Sequence, residues 1–238
     1  MTEVYWLEQI EADVPRDDAW LHPAELLRLS ELRFAKRRTD WRLGRWTAKR
    51  AVAACLGLRH DAPGLAAIEI RAAASGAPEV FLAEELALVS ISLTHSSSRA
   101  GCAVARGAAA IGCDIEKIEP RAATFSTDYL TEEEQVLVAR SGAADRDCLL
   151  TLLWSAKESA LKALQEGLRL DTRSVVVGPL EFIRDLKDWQ PIQVRHTEGQ
   201  VFHGWCRSAE SFVQTLVSLP PPNRPTPVQV STRAQAER

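Results

Sequence analysis

Ile111-Gly112-Cys113-Asp114-Ile115-Glu116 sets two carboxylates two residues apart. On a strand, alternate side chains share a face, so Asp114 and Glu116 point together while Ile115 packs inward. Two adjacent carboxylates repel unless a cation lies between them. Hard divalent ions such as Mg²⁺ take oxygen ligands of this kind, usually one or two carboxylates plus substrate phosphate. Alone, the pair reads more readily as an edge strand with a polar face. Leu153-Trp154-Ser155-Ala156-Lys157-Glu158-Ser159-Ala160-Leu161-Lys162 supplies context: Glu158 and Lys162, four apart, share a helical face, with Lys157 adjacent. The bland reading is a helical salt bridge. The functional one makes Glu158 a third carboxylate for the metal and aims both lysines at phosphate.

Ser90-Ile91-Ser92-Leu93-Thr94-His95-Ser96-Ser97-Ser98 alternates hydroxyl and apolar side chains, then enters a hydroxyl-rich turn carrying His95. Such a turn can donate hydrogen bonds to phosphate, and an imidazole adds a donor and a charge. A histidine at a strand end is more often a plain surface residue. In Lys36-Arg37-Arg38-Thr39-Asp40-Trp41-Arg42-Leu43-Gly44-Arg45, Arg37 and Arg45 are eight apart, near two helical turns. Guanidinium forks match phosphate oxygens, so the two could reach one anion. Neither a Walker loop nor a Gly-x-Gly-x-x-Gly fingerprint is present.

Residues 28–50 hold nine basic and two acidic side chains, a local +7 within a chain of net −3, which leaves −10 for the rest. Residues 111–134 hold seven acidic side chains against Lys117 and Arg121. The halves of that pattern suit an anionic ligand met by cations at one end and a metal at the other, or simply two solvated faces. The small net charge argues against a generally polybasic nucleic-acid binder. No apolar run reaches membrane-spanning length and the N-terminus lacks a secretory pattern. Five scattered cysteines without a C-x-x-C pair fit reduced thiols, hence a cytoplasmic protein.

These groups need a scaffold, and the chain repeats one. Trp46-Thr47-Ala48-Lys49 recurs as Trp154-Ser155-Ala156-Lys157, each opening an Ala/Leu-rich helix that exits through Gly57 or Gly167. Helices are expected over Glu25–Ala35, Asp40–Leu56 and Asp147–Glu166, with Thr131 and Glu134 as a capping box opening another. Strands are expected over Val4–Ile10, Ile68–Ala73, Glu79–Leu82, Val89–Thr94, Gly101–Arg106, Ala110–Glu116, Ser174–Val177, Ile192–Arg195, Phe202–Cys206 and Phe212–Ser218, and Ser75-Gly76-Ala77-Pro78 is a turn. The expected fold class is α+β: two similar halves, 1–110 and 111–219, each packing a helix on a mostly antiparallel sheet, and a Pro-rich disordered tail, 220–238.

Taken in order, Lys36–Arg45, Ser75–Pro78, Ser92–Ser96, Gly112–Glu116 and Trp154–Lys162 resemble the 4′-phosphopantetheinyl transferases of the Sfp type, fused pseudo-dimers. The likeness spans roughly residues 30–170. It implies that coenzyme A binds between the halves, that a serine hydroxyl of an acyl or peptidyl carrier protein attacks its β-phosphate, and that 3′,5′-ADP leaves. It assigns Asp114, Glu116 and Glu158 to Mg²⁺, with Mn²⁺ as a substitute. Lys157 and Lys162 would neutralise phosphate charge, and Lys162 would also assist the leaving group. Arg37, Arg45 and His95 would bind the 3′-phosphate region beside the Thr94 hydroxyl, and Gly76 and Ala77 would line the adenine pocket. Glu134 matches a glutamate near the family's site. The general base stays open between Glu158 and a metal-bound water.

Ala77 stands where many members are basic, Thr94 where serine is usual, Ser97 where glycine is common and Cys113 where isoleucine is common; no metal ligand or lysine is lost. The competing reading is a non-catalytic module binding coenzyme A or a carrier protein, which would have no need for three carboxylates and Lys162 together. A nucleic-acid binder lacks a stacking platform. A monomer is expected, because fusion supplies the second half. Nothing distinguishes fatty-acid, polyketide or nonribosomal-peptide pathways.

Overall fold

The computed structural model describes residues 1–166, 170–178 and 186–228. Strand β1 (Val4–Ile10) leads into helices α1 (Pro23–Glu31), α2 (Ala35–Leu56) and α3 (Ala62–Ala66). Strands β2 (Ile68–Ala72), β3 (Pro78–Leu82), β4 (Glu85–Leu86), β5 (Val89–Ser96), β6 (Arg99–Arg106) and β7 (Ala110–Lys117) follow. Then come α4 (Phe125–Tyr129), α5 (Glu132–Arg140) and α6 (Ala143–Ala163), and strands β8 (Val175–Val177), β9 (Gln190–His196), β10 (Val201–Ala209), β11 (Phe212–Leu219) and β12 (Thr226–Pro227). The fold is mixed α+β, with six α-helices among the described residues.

The described residues form three sheets: β12-β1-β6-β5, β7-β11-β10-β9-β8 and β2-β3-β4. Strand alternation splits β1 between two cores. Leu7 joins Trp46, Ala48 and Val52 of α2 in one, with Tyr5 packed against it, whereas Val4 and Trp6 join Ile111, Cys113 and Leu216 of the second sheet in another. A third core lies under α6, from Leu153 and Leu161 to Val213 and Val217. The two larger sheets therefore pack face to face, each covered by one long helix. Trp6 meets Trp189 edge-on across that interface, ring centroids 5.8 Å apart.

Two details place the site. A Cβ on Gly112 would stand 1.8 Å from the Ser159 carbonyl oxygen, so only glycine lets α6 lie this close to β7. The seam between sheets is stitched by side chains: Cys113 N–H donates to Ser92 Oγ at 3.0 Å and Ile115 N–H to Thr94 Oγ1 at 3.1 Å. The hydroxyl face of β5 thus satisfies the edge of β7, rather than presenting free donors to a ligand.

Element boundaries differ from expectation where caps rule. α1 starts at Pro23, two residues early, because His22 and Glu25 form a capping box, and the chain turns extended at Leu32. α2 takes in the basic run from Ala35, and α6 begins at Ala143 just after Gly142. The turn after the second repeat, Gly167-Leu168-Arg169, lies outside the described residues. The tail expected from residue 220 is corrected over 220–228. There β12 runs parallel to β1, Thr2 N–H donates to Pro221 O, and Val228 N–H donates to Trp6 O, both at 2.8 Å. An unpaired edge of β1 is a favourable place for such a segment, and prolines are tolerated on sheet edges. Residues 229–238 lie outside the described residues.

Candidate active site

Asp114 and Glu116 project from β7, and Glu158 and Lys162 from the α6 turns that Gly112 admits. Asp114 is buried. Its Oδ1 accepts from Thr94 Oγ1 at 2.9 Å and from Lys162 Nζ at 2.8 Å, while its Oδ2 is buried without a partner among the described residues. Glu158 Oε1 is likewise buried and unpartnered. Glu116 is occupied at both oxygens, by Trp154 Nε1–H at 3.3 Å and by Arg121 at 3.2 Å. Burial, followed by Asp114 and Glu116, pushes the Glu158 pKa up to about 7 against the pull of Lys162. Burial and Asp114 also raise Glu116, partly offset by Arg121 and Trp154. At Lys162, burial opposes the charge but Asp114, Cys113 and Glu158 outweigh it, and the pKa rises.

Beside this cluster opens a cleft of about 770 Å³. Its walls are the β2–β3 turn, residues 86–93 leading into β5, the start of β7 and the end of α6. It opens between β3 and β5, where no ladder joins the small sheet to the larger one. Gly76 and Ala77 line it. Gly76 takes φ of +91°, a left-handed conformation, and its N–H closes the turn onto Ala73 O at 2.9 Å. Arg45 lines the wall; its buried Nε makes no hydrogen bond among the described residues but lies 3.6 Å from Glu25 Oε1, and its guanidinium is 5.0 Å from the Trp41 ring centre. Lys162 lines the cleft too, so one ammonium borders both the cavity and the carboxylates.

Two buried carboxylate oxygens without donors, next to a third carboxylate, suit a hard divalent cation by donor type. The described trio whose ligand atoms all lie within 4.8 Å of one another is a different one, His22, Glu69 and Glu84, where Arg71 already bridges both glutamates. An all-oxygen donor set, a lysine and a cavity are the groups that a phosphate-bearing ligand would use. Residues 110–217 match the 4′-phosphopantetheinyl transferase superfamily. A comparison with curated proteins finds no match. The matched segment contains β7, α6 and most of β11, and so all three carboxylates and Lys162.

Within that segment, Lys157 and Glu134 fall elsewhere. Lys157 is fully buried; its Nζ meets Glu134 Oε2 at 2.8 Å, Thr172 O at 3.1 Å and Val175 O at 2.5 Å. An ammonium has three donors, so none remains for phosphate. Glu134 closes a capping box with Thr131 and accepts Val177 N–H at 3.0 Å. The same arrangement recurs outside the segment. Glu25 closes a capping box with His22, accepts Ile70 N–H at 3.2 Å, and meets the buried Lys49 Nζ at 2.5 Å. Lys49 donates to Trp20 O and Leu65 O. Burial lowers the pKa of both lysines, with the paired glutamate opposing. Lys157 and Glu134 are therefore corrected from site residues to a buried pair that holds helix to strand.

The remaining expectations divide. Thr94 is buried and binds Asp114, so it orients a carboxylate rather than touching the cleft. His95, one residue on, is exposed and absent from the cleft wall. Arg37 is exposed on α2 and also outside the wall, so it and Arg45 do not converge on one cavity. Two contributors escaped the sequence: Arg71, which lines the cleft with its guanidinium 4.1 Å from the Phe81 ring centre, and Arg121, which holds Glu116. Neither lies in a recognisable motif. The alternation Glu69-x-Arg71 on a strand was the available signal for the first.

Proposed function

We propose that the protein transfers 4′-phosphopantetheine from coenzyme A to a serine of an acyl or peptidyl carrier protein. The observation that carries this reading is Lys162, which lines a cleft large enough for a nucleotide-sized ligand and touches a buried carboxylate beside two unpartnered carboxylate oxygens. Asp114, Glu158 and Glu116 would hold Mg²⁺ or Mn²⁺. When bound, the ion supplies Lewis-acid stabilisation of the phosphate charge.

The chain's own groups divide the remaining work. Gly76 and Ala77 offer backbone groups to adenine, and Arg45, paired on one side with Glu25, offers its remaining guanidinium donors to the nucleotide phosphate. Lys162 neutralises charge growing on the pyrophosphate, worth more in a water-poor site. The carrier serine Oγ bonds to the β-phosphorus as the bond from that phosphorus to the bridging oxygen breaks. The serine proton passes to a Glu158 carboxylate oxygen, and 3′,5′-ADP departs with the bridging oxygen's electron pair, stabilised by Lys162.

The same proposal includes two related halves, 1–110 and 111–219, in one monomeric chain. The paired Glu–Lys arrangements support it. So do the hairpins β5–β6 and β10–β11, each turning on two residues of positive φ: Ser97 with Ser98, and Glu210 with Ser211. Gln9, with its amide turned to satisfy both neighbours, accepts from Trp46 Nε1–H at 3.3 Å, as Glu116 accepts from Trp154. Arg50 then stands where the second half has Glu158, so only the second half retains a metal-binding set.

The test is mass spectrometry of an apo carrier protein incubated with the purified chain, coenzyme A and Mg²⁺. A gain of one phosphopantetheine mass is expected. No gain with carriers of several kinds, together with coenzyme A binding by calorimetry, would instead establish a non-catalytic binding module.

A further inference from the structure

The three carboxylates are not equivalent. Asp114 and Glu158 each keep one buried oxygen free of donors, whereas both Glu116 oxygens are taken. The donors belong to one small assembly. Arg121 lies with its guanidinium 5.1 Å from the Phe125 ring centre. Phe125, Tyr129 and Trp154 contact one another in pairs, with centroids 4.8, 5.3 and 4.9 Å apart. The segment after β7 thus folds back as a cap, aromatic at its centre, that sets a guanidinium on Glu116. Arg121 Nε is itself buried without a partner, so the guanidinium is only partly satisfied where it lies.

Resting on the metal assignment above, we propose that Arg121 is a positioning residue and internal counter-cation: it neutralises Glu116 while the site is empty and competes with the divalent ion for that carboxylate. Asp114 and Glu158 form the entry pair, and Glu116 joins them when Arg121 lets go. The cap then sets how tightly the ion is held. Lys162 plays no equivalent part, because Asp114 retains Oδ2 free while Lys162 holds Oδ1.

The experiment is calorimetric titration of Mn²⁺ into the full chain without coenzyme A, for wild type, Arg121→Ala, Arg121→Gln and Arg121→Lys. Losing the charged competitor should tighten the Kd by roughly tenfold or more in the Ala and Gln variants, which converts to about 1.4 kcal/mol or more. Lys, which keeps the charge, should return it towards wild type. A purely structural arginine would give the opposite sign, looser binding on removal. Unchanged or weaker Mn²⁺ binding in folded Ala and Gln variants overturns the proposal, as does failure of all three variants to fold, which would make Arg121 a folding residue. Asp114→Asn separates the two levels. If wild type binds no Mn²⁺, or Asp114→Asn binds as well as wild type, the metal assignment itself falls. If Asp114→Asn loses binding while the Arg121 variants match wild type, only the counter-cation role falls.

Discussion

Lys162 Nζ sits 2.8 Å from Asp114 Oδ1, and Lys162 also forms part of the cleft wall. The two residues are 48 apart in sequence. They meet because Gly112 lets α6 rest on β7 and because the i to i+4 spacing of Glu158 and Lys162 aims both at that strand. One cation therefore links the cavity to the carboxylates. Substitution can separate the groups that act at this junction from the groups that hold it in place.

Asp114→Ala and Glu158→Ala should each abolish transfer while leaving the fold intact. Loss of a group that only supports a metal ligand already costs roughly 10–100-fold, and these two residues are assigned as ligands themselves. Carrier loading followed by mass spectrometry reads the activity, and far-ultraviolet circular dichroism reads the fold. Near-normal rates in both variants would remove the metal assignment.

Lys157→Met and Glu134→Gln should act on stability. Removing one member of a buried ion pair strands its partner, at a cost of about 3–5 kcal/mol. Lys49→Met should show a smaller loss, because Glu25 keeps the Arg45 guanidinium at 3.6 Å. Urea denaturation measures all three. A Lys157→Met protein of native stability but without activity would return Lys157 to the catalytic group.

Arg45→Ala should raise the KM for coenzyme A by roughly 10–100-fold with kcat little changed. That is the pattern when a charge-assisted hydrogen bond disappears from the ground state and the transition state alike. Arg37→Ala should leave that KM unaltered, since Arg37 is outside the cleft wall. Steady-state kinetics over a range of coenzyme A concentrations distinguishes them.

Glu158 gives the metal-free protein a pH-dependent stability. Its pKa is raised from 4.5 to about 7, chiefly by burial and then by Asp114. The folded state holds this proton more tightly than the unfolded chain does. The contribution therefore favours folding below about pH 4.5 and is lost as pH climbs through 7. Chelator-treated wild type should lose melting temperature across that window relative to Glu158→Gln, which carries no titrating group there. Parallel melting curves for the two proteins would show that Glu158 is not so shifted.

Much of the cluster is readable in one dimension. Asp114 and Glu116 share a face through strand alternation, and Glu158 and Lys162 share one through helical spacing. Lys157 shows where that reading stops. It neighbours Glu158 in sequence, but one helical step is about 100° of rotation, so the two side chains leave α6 in different directions. Lys157 turns to Glu134, Thr172 and Val175, and Glu158 to β7. Thr94 reads as a phosphate donor by its type and place, yet β7 takes its hydroxyl. The prolines after residue 219 read as a disordered tail by composition, yet the open edge of β1 offers them a partner.

The sequence by itself determined the local terms: the periodicities of strands and helices, the capping box at Glu134, the repeated Trp-x-Ala-Lys and the motif order. Each depends on neighbours within a few residues, where backbone geometry alone decides which side chains coincide. Only the tertiary structure decided which cations reach the cleft, which lysine is spent on backbone carbonyls, and that Arg121 occupies Glu116. Those outcomes depend on which surfaces pack together and which polar atoms are thereby shut away from water, and burial is a property of the whole fold.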